Sequence, residues 1–194
     1  MKRTSKQSLF YHSNNMTKIF SYLVLCYLLL IITGCRSQIN PNDRLPNNFY
    51  KISEEIYRSE QPSPQQMQYL AELGVKTVIN LRLWHSDQDE ITNTTITEVP
   101  IKLRAGKITD EKIIETLKVI NKSPKPILIH CWHGSDRTGV VVAMYRLVFQ
   151  KWTKSQAINE LMQPEFGHHS NIYPNIVKYI ENADIVKIRE AVFH

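Results

Sequence analysis

The chain has 194 residues, 42% of them hydrophobic and 22% charged, with a net charge of +6. That balance fits one globular domain and excludes a long disordered protein. Three cysteines are too few for a disulfide scaffold, and no apolar run reaches the roughly 18 residues of a spanning helix.

The leader comes first. Lys2, Arg3, Lys6 and Lys18, with no acid before Cys35, put +4 of the +6 into the first 34 residues. The basic character therefore belongs to the leader. It argues against a nucleic-acid partner, which needs a basic face on the folded part. Ile19 to Ile32 is a nearly unbroken apolar stretch of 14 residues, the length of a signal-peptide core. Residues 1–34 read as a signal peptide, with Met16 as an alternative start because the segment before it is long and polar.

Ile32-Thr33-Gly34-Cys35 resembles a bacterial lipoprotein box. The resemblance implies cleavage before Cys35, lipidation of its thiol, and an exported, membrane-anchored protein facing the periplasm or the cell surface. An uncleaved signal anchor is the alternative. Cys26 leaves with a cleaved leader, so Cys131 becomes the lone free thiol. Residues 35–48 are polar, with Pro41 and Pro46, and read as a lipid-anchored tether. The thirteen after Cys35 reach at most about 45 Å when extended. Residues 49–194 form the domain.

Within that domain, strand-like and helix-like segments alternate. Ile56-Tyr57-Arg58 is a short strand. Ser63, Pro64 and Gln66 start a helix with a capping box, and Gly74 ends it. Thr77-Val78-Ile79 is β-branched and marks a buried strand between Val75 and Leu81. Thr97 to Ile101 is a weaker strand. Thr109 caps a helix whose apolar face is Ile113, Ile114, Leu117 and Ile120. Pro126 to His130 is the next buried strand. Gly139 to Gln150 is apolar almost all round, the mark of a central helix. Thr153 and Gln156 form a second capping box, for a helix through Met162. A last helix is expected from about Pro174 to Lys187. This order predicts a three-layer α/β fold: a mostly parallel sheet of four to five strands with helices on both faces. In such sheets ligands sit at the carboxyl ends of the strands. The residues that follow those ends are Ser59 to Gln61, Arg82, Arg104 and Cys131.

The segment from His130 to Gly139, His-Cys-Trp-His-Gly-Ser-Asp-Arg-Thr-Gly, links a buried strand to a buried helix. A loop of that length can turn its backbone N–H groups inward as an anion nest, to which the helix adds its positive end. Arg137 offers a planar fork for two phosphate oxygens. A thiol in such a cup is favoured as thiolate. Gly134 and Gly139 allow the turn and the close approach of ligand to backbone.

This segment resembles the signature loop of the cysteine-dependent protein tyrosine phosphatase superfamily, in its small dual-specificity-like branch of bacteria, plants and fungi. His130, Cys131, Gly134, Asp136, Arg137, Thr138 and Gly139 carry the likeness. Tyr57 to Pro62, Val78 to Arg82 and Trp152 to Ile158 extend it. The resemblance implies a metal-independent phosphomonoester hydrolase with no cofactor. Cys131 is then the nucleophile, forming a cysteinyl-phosphate, and Arg137 binds the phosphate. Trp132, His133, Gly134, Ser135, Asp136 and Thr138 complete the phosphate loop. Thr138 donates to the leaving thiolate, and His130 supports the loop or is a plain core histidine.

Many relatives carry an acidic residue after the third strand, as general acid. Here that loop reads Leu103-Arg104-Ala105-Gly106-Lys107-Ile108-Thr109-Asp110, with no carboxylate at its start and Asp110 the nearest. Asp136, inside the signature loop as in myotubularin-like loops, is the first candidate acid. Asp110 is the second, although it also serves a helix start. Arg82 and Arg104 are candidate substrate contacts. Phe166-Gly167-His168-His169 reads as a plain loop, with the pocket rim as an alternative. The partner is a phosphorylated protein or small phosphoester. The loop has no lysine, which points to a singly phosphorylated group, while the myotubularin likeness points toward phosphoinositides; phosphotyrosine, phosphoserine and a small phosphoester all stay open. A binding-only pseudo-phosphatase is the main rival. A zinc site from His130, Cys131, His133, His168 and His169, or a sulfurtransferase, fits the spacing poorly.

Overall fold

Runs of β-branched and aliphatic residues build the sheet. In the computed structural model, which describes residues 44–194, the strands are β1 (Tyr50–Lys51), β2 (Ile56–Ser59), β3 (Thr77–Asn80), β4 (Thr97–Pro100) and β5 (Ile127–His130). Their order across the sheet is β1-β2-β5-β3-β4. The β2, β5, β3 and β4 strands are parallel, and only β1 runs antiparallel, against β2. The fold is thus the expected α/β architecture with a five-stranded, mostly parallel sheet. The two-residue β1 was not expected, because two residues carry no periodicity. The expected signal peptide, the expected lipidation site Cys35 and the expected tether as far as residue 43 lie outside the described residues. No described helix is long and apolar enough to cross a membrane.

Alternation along the strands sorts side chains to two faces. Val78 and Leu128 meet Met67 and Leu70 of α1 (Pro64–Glu72) on one face. Ile79, Ile127 and Ile129 point to the other. There lie α2 (Asp110–Lys122), α3 (Asp136–Phe149), α4 (Lys154–Leu161), α5 (Pro174–Asn182) and α6 (Ile185–Phe193). Eleven of the fourteen α3 residues are buried, which makes it the central helix. It begins at Asp136 rather than Gly139, so the second half of the signature segment is its first turn.

Both expected capping boxes form. Ser63 and Gln66 exchange bonds at the start of α1, and Thr153 and Gln156 do so at α4. The expected last helix is two helices. Ala183 is extended at ψ 132, and Asp184 accepts from Lys187 N at 3.1 Å to cap α6. The last residues of the segment read as a tether touch the domain. Leu45 joins the α1 cluster, and Asn48 Nδ2 donates to His133 O at 3.0 Å.

Register places the site. Ser59 pairs with His130, His130 with Asn80, and Asn80 with Pro100, so the four parallel strands end level. Leu81 N then donates to His130 O at 3.0 Å, and Gln61 N to Trp132 O at 3.1 Å. Cys131 is therefore delivered at the carboxyl edge of the sheet, between the loops after β2 and β3.

Candidate active site

The loop from Cys131 to Ser135 is held from below. Arg58 is a fully buried side chain of β2, and its Nη2 donates to Gly134 O at 2.6 Å. Its guanidinium stacks 4.4 Å from the Phe166 ring centroid. Burial pushes the Arg58 pKa down to about 10, against the pull of Glu160 and Cys131. Gly134 sits at φ +72 with its α-carbon against the β2 backbone. No other residue type takes that conformation in that space. Ser135 starts α3 without a side-chain cap, so no hydroxyl claims the N–H groups of the first turn.

His130 is fully buried beneath the loop. Its Nε2 donates to Asp87 Oδ2 at 2.6 Å, and Nδ1 faces Cys131 O at 3.2 Å. Gln61 Nε2 donates to Asp87 Oδ1 at 2.7 Å, and Arg82 Nη1 to Gln61 Oε1 at 2.8 Å. Arg82 also lies 4.3 Å from the centroid of the Trp132 ring. One chain of contacts thus runs from the buried histidine to an aromatic ring at the mouth. Burial raises the Asp87 pKa, yet the bonds from His130 and Gln61 outweigh it and hold the carboxyl below its usual value. Burial lowers the Arg82 pKa, partly offset by Asp87. Asp87 and Arg58 were not expected as site residues, and Gln61 was expected only by its place after the end of β2.

Above the loop is a cavity of about 500 Å³. Cys131, Trp132, His133, Asp136, Arg137 and Arg104 all line it, so six expected site residues converge. Cys131 is a free thiol, 2% exposed at the cavity floor. Arg137 gives one long bond, Nη1 to Leu81 O at 3.4 Å. Its other donors have no protein acceptor among the described residues. Thr138 is buried, and its Oγ1 has no partner among the described residues. Arg82 lies in an adjoining recess with Trp84, Trp132 and Arg137. Ala105 O, beside Arg104, accepts from Asn175 Nδ2 at 2.8 Å, which ties the opposite loop to α5.

The two candidate acids are placed differently. Asp110 is absent from the cavity wall, and its Oδ1 accepts from Tyr179 Oη at 2.9 Å. That bond and burial raise the Tyr179 pKa, burial being the larger cause. Asp136 lines the cavity, but three donors occupy its oxygens. His168 Nδ1 and His169 N reach Oδ1 at 2.8 and 2.9 Å, and His169 Nδ1 reaches Oδ2 at 2.8 Å. Burial raises the Asp136 pKa, yet these bonds outweigh it and keep the carboxyl below its usual value. Such a carboxylate has no proton to give. The segment expected as a plain loop is thus bonded to the signature loop, and His169 is part of the cavity wall.

A model of the tyrosine phosphatase family matches residues 45–190. The chain belongs to that family. Over 146 residues it is 31% identical to the dual specificity protein phosphatase TpbA of Pseudomonas aeruginosa strain UCBPP-PA14, a match spanning 74% of this chain and 66% of the relative. It is 29% identical to the inositol diphosphatase DSP3 of Arabidopsis thaliana, across 75% of this chain and 74% of that one. Among solved structures, a cysteine-to-serine form of Pseudomonas aeruginosa TpbA in complex with phosphotyrosine superposes with a TM-score of 0.70 at 28% identity, covering 82% and 99% of the two chains. The catalytic core of the PP-IP phosphatase SIW14 from Saccharomyces cerevisiae, in complex with citrate, gives 0.66 at 26%, covering 75% and 91%.

Proposed function

We propose that this chain hydrolyses phosphomonoesters through a cysteinyl-phosphate on Cys131, as a protein phosphatase of the tyrosine or dual-specificity kind. The carrying observation is the cavity with a buried thiol at its floor and Arg137 on its wall. The Cys131 thiolate attacks phosphorus, and the alcohol leaves with a proton. Water oxygen then bonds to phosphorus as the sulfur–phosphorus bond breaks, which releases phosphate and restores the thiolate. Arg137 and the loop amides balance charge on the transferring group. Trp132, 53% exposed at the mouth and backed by Arg82, offers a flat wall to an aromatic leaving group. This supports phosphotyrosine as the first substrate to test. A phosphorylated inositol is the second, supported by the likeness to plant inositol diphosphatases and by Arg82 and Arg104 near the mouth.

The test is turnover of para-nitrophenyl phosphate by the full chain, with chelator and reductant, beside Cys131→Ser. Hydrolysis that survives chelation and disappears in the variant is expected. Vanadate binding without turnover moves the chain to the binding-only class. The lipobox-like Ile32 to Cys35 supports an exported, lipid-anchored position for this activity. Cys35→Ser then shifts the chain from the membrane fraction to the soluble one. A membrane-bound variant contradicts the anchor.

A further inference from the structure

The cavity lacks a group able to protonate the leaving oxygen if only carboxylates are considered. The loop opposite Cys131 contributes Leu103, Arg104, Ala105 and Gly106, none of them acidic. Asp110 is turned to Tyr179, and Asp136 is saturated by three donors. What Asp136 holds in place is His169. The residue is tied at two points, by its backbone N–H and by Nδ1, to the two oxygens of one carboxylate. With Nδ1 committed, Nε2 is the nitrogen left over, and it makes no hydrogen bond among the described residues. The ring is 41% exposed and lines the cavity that holds Cys131 and Arg137. His168 is bonded to the same carboxylate but is 1% exposed and not in the wall.

We propose that His169 is the acid–base catalyst of this chain, oriented by Asp136. The inference rests on the cysteinyl-phosphate reading above. In the first step the Cys131 sulfur forms its bond to phosphorus, the bond to the ester oxygen breaks, and the proton on His169 Nε2 passes to that oxygen. The neutral imidazole then takes a proton from water as the water oxygen bonds to phosphorus and the sulfur–phosphorus bond breaks. One group serves as acid and then as base, and the products are alcohol and phosphate. Asp136 keeps the ring in the tautomer and orientation that present Nε2. The other titratable or charged groups on the cavity wall are Cys131, His133, Arg137, Arg104 and Tyr173. The ring of His133 is 5.7 Å from that of His169, centroid to centroid, and is the rival donor.

The experiment compares two aryl phosphates, phenyl phosphate with a poor leaving group and 2,4-dinitrophenyl phosphate with a good one. His169→Asn keeps an amide where Nδ1 bonds Asp136 and deletes Nε2; His169→Gln is the second variant should the first fail to fold. The variant is expected to lower kcat/KM, which covers the steps up to ester-bond cleavage, by about 100-fold for phenyl phosphate and by less than about threefold for the dinitrophenyl ester, while loss of the base in the shared second step lowers kcat for both. His133→Gln is expected to change both esters by one common factor. Equal losses of kcat/KM on the two esters in the His169 variant overturn the proposal, and so does an unchanged kcat/KM for phenyl phosphate. A leaving-group-dependent loss in His133→Gln alone moves the role to His133. Wild-type turnover that persists in Cys131→Ser overturns the phosphatase reading instead, and no wild-type turnover of either ester overturns both.

Discussion

Replacing Gly134 by alanine tests how the loop is held. An added Cβ falls 2.5 Å from Ser59 C and O and 2.6 Å from Glu60 N. These are backbone atoms at the end of β2, fixed by its ladder to β5 and by the bond from Gln61 N to Trp132 O. None can swing aside as a side chain would. Left-handed φ costs alanine about 1 kcal/mol, and forced overpacking adds roughly 1–3 kcal/mol. The sum is about 2–4 kcal/mol if the loop stays, which corresponds to a Tm drop of roughly 4–16 °C in a domain this size. If the loop moves off β2 instead, the 2.6 Å bond from Arg58 to Gly134 O is lost along with the anion cup. Differential scanning calorimetry and vanadate titration, run together, separate the two. Vanadate affinity is expected to fall by more than tenfold, or about 1.4 kcal/mol. A Tm within about 2 °C of wild type with unchanged vanadate affinity would refute the close approach.

Asp87→Asn is expected to destabilise the chain by about 1–3 kcal/mol in urea melts at neutral pH, because the bond from His130 loses its charged acceptor in a buried site. The sign with pH follows from a folded pKa below the unfolded one. The contribution of Asp87 is full above about pH 3.9 and is lost as pH falls through the lower folded value. The wild-type advantage over the variant therefore shrinks on acidification; a gap that widens contradicts it. Asp110→Asn is expected to leave kcat within about twofold, since this residue is off the cavity wall, and to cost about 1 kcal/mol through the Tyr179 bond. A loss of kcat confined to poor leaving groups in that variant would restore Asp110 as the acid.

The sheet was legible because its buried strands are β-branched or aliphatic runs and its helices carry capping boxes at Ser63 and Thr153. The proposed nucleophile loop was legible because Cys131, Gly134 and Arg137 fall in one short segment. What sequence hid lies at long separation. Asp87 is 43 residues before His130, in a polar loop where an acidic residue ordinarily reads as solvated. Only the parallel pairing of β3 with β5 brings that loop over the histidine. His169 sits 33 residues after Asp136, and nothing in the local pattern of Phe166 to His169 marks a bond across the cavity. Arg58 looked like the last residue of a short strand. Its burial follows from the position of β2 under the signature loop. The break at Ala183 did have a signal, since Asp184 is an N-cap residue type before an apolar run. The apolar spacing on either side of it masked the break.

The proposed intermediate is a phosphoryl group bonded to one sulfur. Rapid acid quench of the full chain during turnover, followed by peptide mass spectrometry, reads it directly. A single added phosphoryl group on the peptide carrying Cys131, absent in Cys131→Ser, is the predicted result. A phosphoryl group on His133 or His169 instead, or steady turnover with Cys131 never modified, would contradict the account.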